Sequence, residues 1–167
     1  KPNKAHIKLA ELEKQGKLKA VITQNIDGLH QMAGSRNVIE LHGSVHRNYC
    51  EKCHAFYDLD YIVNSDGVPK CEKCGGTVKP DVVLYEESLS EDVLTRSISA
   101  IASADLLIVG GTSLVVYPAA GLLRYFQGDS LVLINRDATQ MDKMADLCIR
   151  DAIGAVMEQI QVPEKET

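Results

Sequence analysis

Cys50-Glu51-Lys52-Cys53 recurs as Cys71-Glu72-Lys73-Cys74, with seventeen residues between the two C-x-x-C pairs. Four thiolates at this spacing are the pattern of a zinc ribbon: each pair sits on a tight turn and aims two sulfurs at one point. The competing reading is a pair of disulfides or inert thiols. A closed tetrahedron of four cysteine sulfurs leaves no open coordination position, so the chemistry expected of Cys50, Cys53, Cys71 and Cys74 is structural retention of one Zn2+. His46 and His54 flank the first pair. They are spare donors beside a set already complete with sulfur. Cys148 lies in an apolar stretch and reads as a buried, inert thiol.

A second group of residues suits acid–base work on a sugar. His42, before Gly43-Ser44, is the candidate general base, because imidazole titrates near neutrality. A lone histidine is also commonly structural. Gln24-Asn25-Ile26-Asp27 offers amide and carboxylate groups that can orient a ribose or a water, or simply bond their own backbone as Asx turns. Gly111-Thr112-Ser113 combines a glycine with small hydroxyls, which suits close approach to phosphate or ribose; an ordinary strand-to-helix turn has the same composition. Asn135-Arg136-Asp137 is a third polar segment, and no G-x-G-x-x-G occurs anywhere.

The elements that must position these groups alternate between strand and helix. Asn3 caps a first helix, with Ala5, Leu9 and Leu12 on one face and Gly16 at its end; His6 reads as a surface residue. Leu18–Thr23 is a short buried strand, 24–34 a loop, and Val38–Leu41 a second strand. Val82–Tyr85 is a strand candidate, and a helix begins near Ser90 with Leu94, Ile98 and Ile101 on one face. Asp105–Gly110 and Leu131–Ile134 are continuous apolar runs, as expected of strands covered on both faces. Pro118 suits the first position of the helix between them. Leu147–Ile149 is a last strand and Ala152–Ile160 a last helix. This rhythm predicts an α/β, doubly wound parallel sheet, whose ligands bind beyond the carboxyl ends of the strands. The expected organisation is a Rossmann-like domain in two parts, 1–44 and 81–167, around a zinc-binding insert at 45–80.

A net charge of −5 argues against a dedicated nucleic-acid binder, which needs a basic face for phosphates. No apolar run approaches the roughly 20 residues that span a bilayer, so no membrane partner is expected. Five cysteines, four of them in metal spacing, suggest a reducing, cytoplasmic compartment.

Taken in order, Gln24-Asn25-Ile26-Asp27-Gly28-Leu29-His30, Leu41-His42-Gly43, the four cysteines, Pro80-Asp81-Val82-Val83, Gly111-Thr112-Ser113 and Ile134-Asn135-Arg136 resemble the sirtuin family, bacterial type, over nearly the whole chain. The resemblance implies an NAD-dependent protein-lysine deacetylase or deacylase. The acyl oxygen of an acylated lysine attacks C1′ of the nicotinamide ribose, nicotinamide leaves, and the acyl group ends on ADP-ribose. His42 matches the general base on the ribose hydroxyl. Asn25 and Asp27 match residues that hold the ribose, the nicotinamide and a water; Ile26 matches a nicotinamide contact and Gln24 a ribose contact. Gly111, Thr112, Ser113, Asn135 and Arg136 fall in cofactor-binding segments, and Ala152-Ile153 in the loop beside adenine. Val82 and Val83 match the strand that pairs with the substrate backbone.

Two departures qualify the expectation. The family's N-terminal glycine-rich strand and loop has no counterpart here, so the chain reads as a truncated core that binds NAD poorly and turns over little by itself. Tyr85-Glu86-Glu87 stands where the family has Phe-Gly-Glu. Two other functions fit the same residues: a zinc-ribbon protein-binding module without catalysis, and ADP-ribosyl transfer to a side-chain acceptor.

Overall fold

A computed structural model describes residues 1–115, 117 and 119–161. Its regular elements are α1 (Lys4–Lys14), β1 (Val21–Thr23), α2 (Leu29–Met32), β2 (Val38–Glu40), β3 (Gly43–Cys50), β4 (Phe56–Tyr57), α3 (Leu59–Val63), β5 (Val78–Val82), α4 (Glu91–Ala102), β6 (Leu106–Gly110), β7 (Ser130–Ile134), β8 (Leu147–Ile149) and α5 (Ile153–Glu158). Two 3-10 helices, Ala119–Tyr125 and Gln140–Met144, follow β6 and β7. The chain is an α/β protein whose strands form three sheets, β1-β2, β4-β3-β5 and β6-β7-β8. It divides into two compact units: Lys1–Ile22, Leu29–Ile39 and Glu91–Thr167 in the first, Thr23–Gly28 and Glu40–Ser90 in the second.

In the first unit β6, β7 and β8 run parallel and in register, so Gly110, Ile134 and Ile149 lie side by side at their carboxyl ends. Alternation along β7 sends Val132 and Ile134 to one face, where they pack with Ala5, Leu9 and Leu12 of α1 and with Ile153, Val156 and Met157 of α5. Leu131 and Leu133 point the other way and are 5% and 0% exposed, so both faces are covered, as the apolar runs require. Burying one such aliphatic side chain contributes about 1.5–3 kcal/mol.

Asn3 caps α1 as expected. Its Oδ1 accepts from the Ala5 and His6 backbone N–H groups at 2.9 and 3.1 Å, and its own N–H donates to His6 Nδ1 at 3.1 Å. His6 is half-buried rather than a surface residue; it closes the capping box and packs at a tilt against His30 with ring centroids 4.6 Å apart.

Three further expectations need correction. The first strand begins at Val21 and not Leu18, because the Lys17 and Leu18 N–H groups turn back to the Leu12 carbonyl and close the end of α1. The 24–34 loop contains the helical turn α2. The strand placed at Val82–Tyr85 lies earlier, at Val78–Val82. Pro118 lies outside the described residues; the segment Ala119–Tyr125 winds as a 3-10 helix.

In the second unit β3 is the centre of an antiparallel sheet, flanked by β4 and β5. Gly43 is required there. It holds φ +76°, and a Cβ at this position would stand 1.9 Å from the Asp81 carbonyl oxygen. Arg47 of β3 pairs with Asp81 of β5 at 2.9 Å and with Glu40 at 2.7 Å. No helix among the described residues is long and apolar enough to cross a membrane.

Candidate functional site

The ribbon is the most completely built site. The sulfurs of Cys50, Cys53, Cys71 and Cys74 all lie within 4.8 Å of one another, with 3.4 Å between Cys50 and Cys74 and 3.5 Å between Cys53 and Cys71. A tetrahedron of Zn–S bonds of about 2.3 Å has edges of about 3.8 Å, close to these separations, so the four sulfurs can gather round one zinc ion. None of the five cysteines is in a disulfide. Two turns aim the sulfurs. His54 N–H donates to the Cys50 carbonyl at 2.9 Å, and Gly75 N–H to the Cys71 carbonyl at 2.8 Å. His54 serves that turn at φ +57°, and neither it nor His46 joins the sulfur cluster.

The protons of these thiols show why a cation belongs there. The Tyr57 hydroxyl bond outweighs burial and brings Cys71 down to about 6. At Cys74 the Gly76 N–H favours the thiolate, but the neighbouring sulfurs of Cys53 and Cys50 win and push it up to about 12. Adjacent thiolates repel in a partly buried site, and a divalent ion removes that conflict. Cys148 is half-buried in β8, and its thiol reaches the Asp142 carbonyl at 3.8 Å.

The second unit also holds His42 and the Gln24–Asp27 segment. Leu41 N–H donates to the Thr23 carbonyl at 2.9 Å and Val45 N–H to the Ile26 carbonyl at 3.1 Å, so the segment is laced to the start of β3. His42 Nδ1 lies 3.0 Å from the Gln24 carbonyl. A carbonyl only accepts, so Nδ1 carries the hydrogen and the neutral ring keeps its lone pair on Nε2. The His42 carbonyl accepts from Val83 N–H at 3.0 Å, which joins the ring's backbone to the residue following β5. Asn25 N–H donates to Thr23 Oγ1 at 3.1 Å and turns the chain. Among the described residues β5 pairs only with β3, leaving its other side as a sheet edge that ends at Val82, with Val83 next.

Sequence reasoning missed His46 as part of this arrangement. Its Nε2 lies 3.1 Å from the Asp27 carbonyl, and its ring packs on the Gly28 backbone. Only its contact with Gly28 in the folded chain sets it apart.

The remaining predicted residues sit in the first unit, just beyond the carboxyl ends of three adjacent parallel strands. Gly111, Thr112 and Ser113 follow β6, Asn135 and Arg136 follow β7, and Ala152 and Ile153 follow β8. Asn135 is 7% exposed and its amide closes a ring with the Thr112 backbone, accepting from Thr112 N–H at 3.2 Å and donating to the Thr112 carbonyl at 2.9 Å. Thr112 Oγ1 in turn accepts from Leu114 N–H at 3.2 Å. Gly111 holds φ +65° and is exposed, as are Ser113 and Arg136. Ile153 packs against Gly110 and joins the apolar cluster around Ile134, with Ala152 capping α5 before it.

The chain as a whole is similar to known proteins. The family model described as "Sir2 family" matches residues 1–118. The NAD-dependent protein deacetylase of Clostridium perfringens (strain 13 / Type A) is 66% identical over 161 residues, covering 96% of this chain, and that of Clostridium acetobutylicum is 63% identical over the same length and share. The chain spans 66% of the length of each of these relatives. Among solved structures, "Sir2-p53 peptide-NAD+" superposes with a TM-score of 0.88 at 43% identity, covering 95% of this chain and 68% of that one. "Structure of Sir2Tm bound to a propionylated peptide" gives 0.89 at 43% identity, covering 95% and 69%. With the four-sulfur cluster, the parallel sheet and its loops already in place, these matches establish that the chain belongs to the Sir2 family.

Proposed function

We propose that the protein from which this chain comes is an NAD-dependent protein-lysine deacylase, and that this chain carries its general base, its zinc ribbon and the edge that receives the substrate. The observation that carries the reading is the His42 ring, held through Nδ1 by the Gln24 carbonyl at 3.0 Å so that Nε2 is left able to take a proton. Bound NAD supplies the electrophilic sugar carbon. Around it, Asn25, Ile26 and Asp27 orient the nicotinamide ribose, with Gln24 beside them. His42 accepts the proton of a ribose hydroxyl as the acyl group passes to ADP-ribose.

Gly111, Thr112, Ser113, Asn135, Arg136, Ala152 and Ile153 serve the rest of the dinucleotide. Their loops at the carboxyl ends of β6, β7 and β8 stand where an open parallel sheet binds ligands. An extended acyl-lysine peptide adds to the free edge of β5 at Val82 and Val83, with main-chain hydrogen bonds giving affinity. Four cysteines placed as thiols for one zinc ion fit a reducing, cytoplasmic setting.

The test is nicotinamide release and lysine deacetylation by the full-length gene product, given NAD and an acetyl-lysine peptide. Deacetylation is expected to fall about 10²–10⁴-fold in His42→Ala. Unchanged turnover would remove His42 from the mechanism, and no turnover by the wild type would favour a binding module, which has no use for an oriented imidazole.

A further inference from the structure

Tyr57, in β4, is buried inside the ribbon with Cys50, Cys71 and Val78. Its hydroxyl oxygen lies 2.9 Å from the Glu72 backbone nitrogen and 3.2 Å from the Cys71 sulfur. A backbone N–H can only donate, so that contact occupies a lone pair of the phenol. The single phenolic hydrogen is then directed to the sulfur. Glu72 N–H, Tyr57 O–H and Cys71 Sγ form a one-way chain, in which each bond polarises the next.

The ring that carries this hydroxyl is fixed from two sides. Its own carbonyl accepts from Asn48 Nδ2 at 3.2 Å, and Asn48 is 1% exposed. The Tyr61 ring lies against it with centroids 4.3 Å apart, while the Tyr61 hydroxyl donates to the carbonyl of Lys70, the residue before Cys71, at 2.5 Å. Both phenols therefore hold the second cysteine turn, but only one of them touches a sulfur.

We propose that Tyr57 is a positioning residue of the metal centre: its hydroxyl draws charge from the Cys71 sulfur, makes that sulfur a weaker nucleophile, and so governs how firmly the ion is retained. Hydrogen bonds from outside the ligand set tune the ligands they reach, with effects of about 10–100-fold when the partner is lost. The inference rests on the sulfur cluster and not on the deacylase reading.

The experiment compares the wild-type protein with Tyr57→Phe, which keeps the buried ring, and with Tyr61→Phe, which removes a phenolic bond of the same turn that reaches no sulfur. In cobalt-substituted protein the sulfur-to-metal charge-transfer band is expected at lower energy in Tyr57→Phe alone. In zinc-loaded protein, metal release on alkylation by iodoacetamide, followed with a chromophoric chelator, is expected to be about ten-fold faster in Tyr57→Phe alone. An unmoved band and rate in Tyr57→Phe, or the same changes in Tyr61→Phe, would overturn the proposal. If Tyr57→Phe fails to fold, cadmium-113-loaded wild-type protein decides by NMR. A scalar coupling between the Tyr57 hydroxyl proton and the metal supports the bond, and its absence overturns it.

Discussion

His46 and Gly28 are in direct contact: a Cβ built on Gly28 would stand 2.8 Å from His46 Cδ2 and 2.9 Å from Nε2. Gly28 also holds φ +68°, a region that costs an L-residue about 1–2 kcal/mol. The imidazole thus rests on bare backbone while Nε2 meets the Asp27 carbonyl at 3.1 Å. Gly28→Ala is expected to destabilise the protein by about 2 kcal/mol through both effects. Urea unfolding of Gly28→Ala, His46→Ala and the double variant checks this. The double variant should recover the steric part and keep the backbone part, and strict additivity would show that the two residues do not meet.

Glu86 is a non-glycine residue at φ +70°, exposed, in the turn after β5. Glu86→Gly relieves the backbone strain but adds freedom to the unfolded chain, with a net gain of about 0.5–1 kcal/mol expected. Thermal unfolding reads this directly, and a lower midpoint in the glycine variant would contradict the left-handed assignment.

Asp142 has a carboxyl held below its ordinary value, chiefly by the Thr139 hydroxyl, with the Thr139 backbone N–H and Arg150 adding to it against burial. Because the folded value is depressed, the stabilisation is fully present above the ordinary carboxylate value and is lost as pH falls through the folded one. Unfolding free energy measured from pH 7 down to pH 3 should therefore fall less steeply in Asp142→Asn than in the wild type. Parallel curves would exclude this carboxyl as a source of the acid dependence.

Removing the metal should unfold the ribbon and leave the parallel sheet. Metal binding and local folding are coupled, and the buried cluster of Cys50, Tyr57, Cys71 and Val78 has little apolar area to hold itself together. Hydrogen exchange after chelation is expected to quicken across β3, β4 and β5 while β7 keeps its protection. Unchanged exchange in β4 would show that the ion is dispensable for the fold.

The parts legible in the sequence are those whose determinants are local. Metal spacing marks Cys50 to Cys74 because both turns are contained in a few residues each. The apolar runs at β6, β7 and β8 stand out because no polar residue interrupts them, and at the central strand β7 both faces are covered, whereas Leu106 of β6 and Leu147 of β8 are exposed. β5 was misplaced for an equally physical reason. Pro80 lies in the middle of the strand, which reads as a break; it is tolerated because β5 is an edge, paired among the described residues with β3 alone.

The supporting groups of the site were hidden. The Asn135 amide bonds a backbone 23 residues earlier, and the Tyr57 hydroxyl reaches a sulfur 14 residues on. Neither residue differs in type or spacing from an ordinary loop amide or a core aromatic. Only the folded chain brings their polar atoms to a partner.

The tautomer of one ring decides whether His42 can act as the base. Nitrogen-15 NMR of the His42 imidazole, recorded at a pH where the ring is neutral, reads its tautomer directly. A hydrogen on Nδ1 and a bare Nε2 is the predicted result, since the Gln24 carbonyl at 3.0 Å can only accept. A hydrogen on Nε2 instead would leave the ring without a free lone pair where a base needs one, and would contradict the assignment of His42 as the proton acceptor.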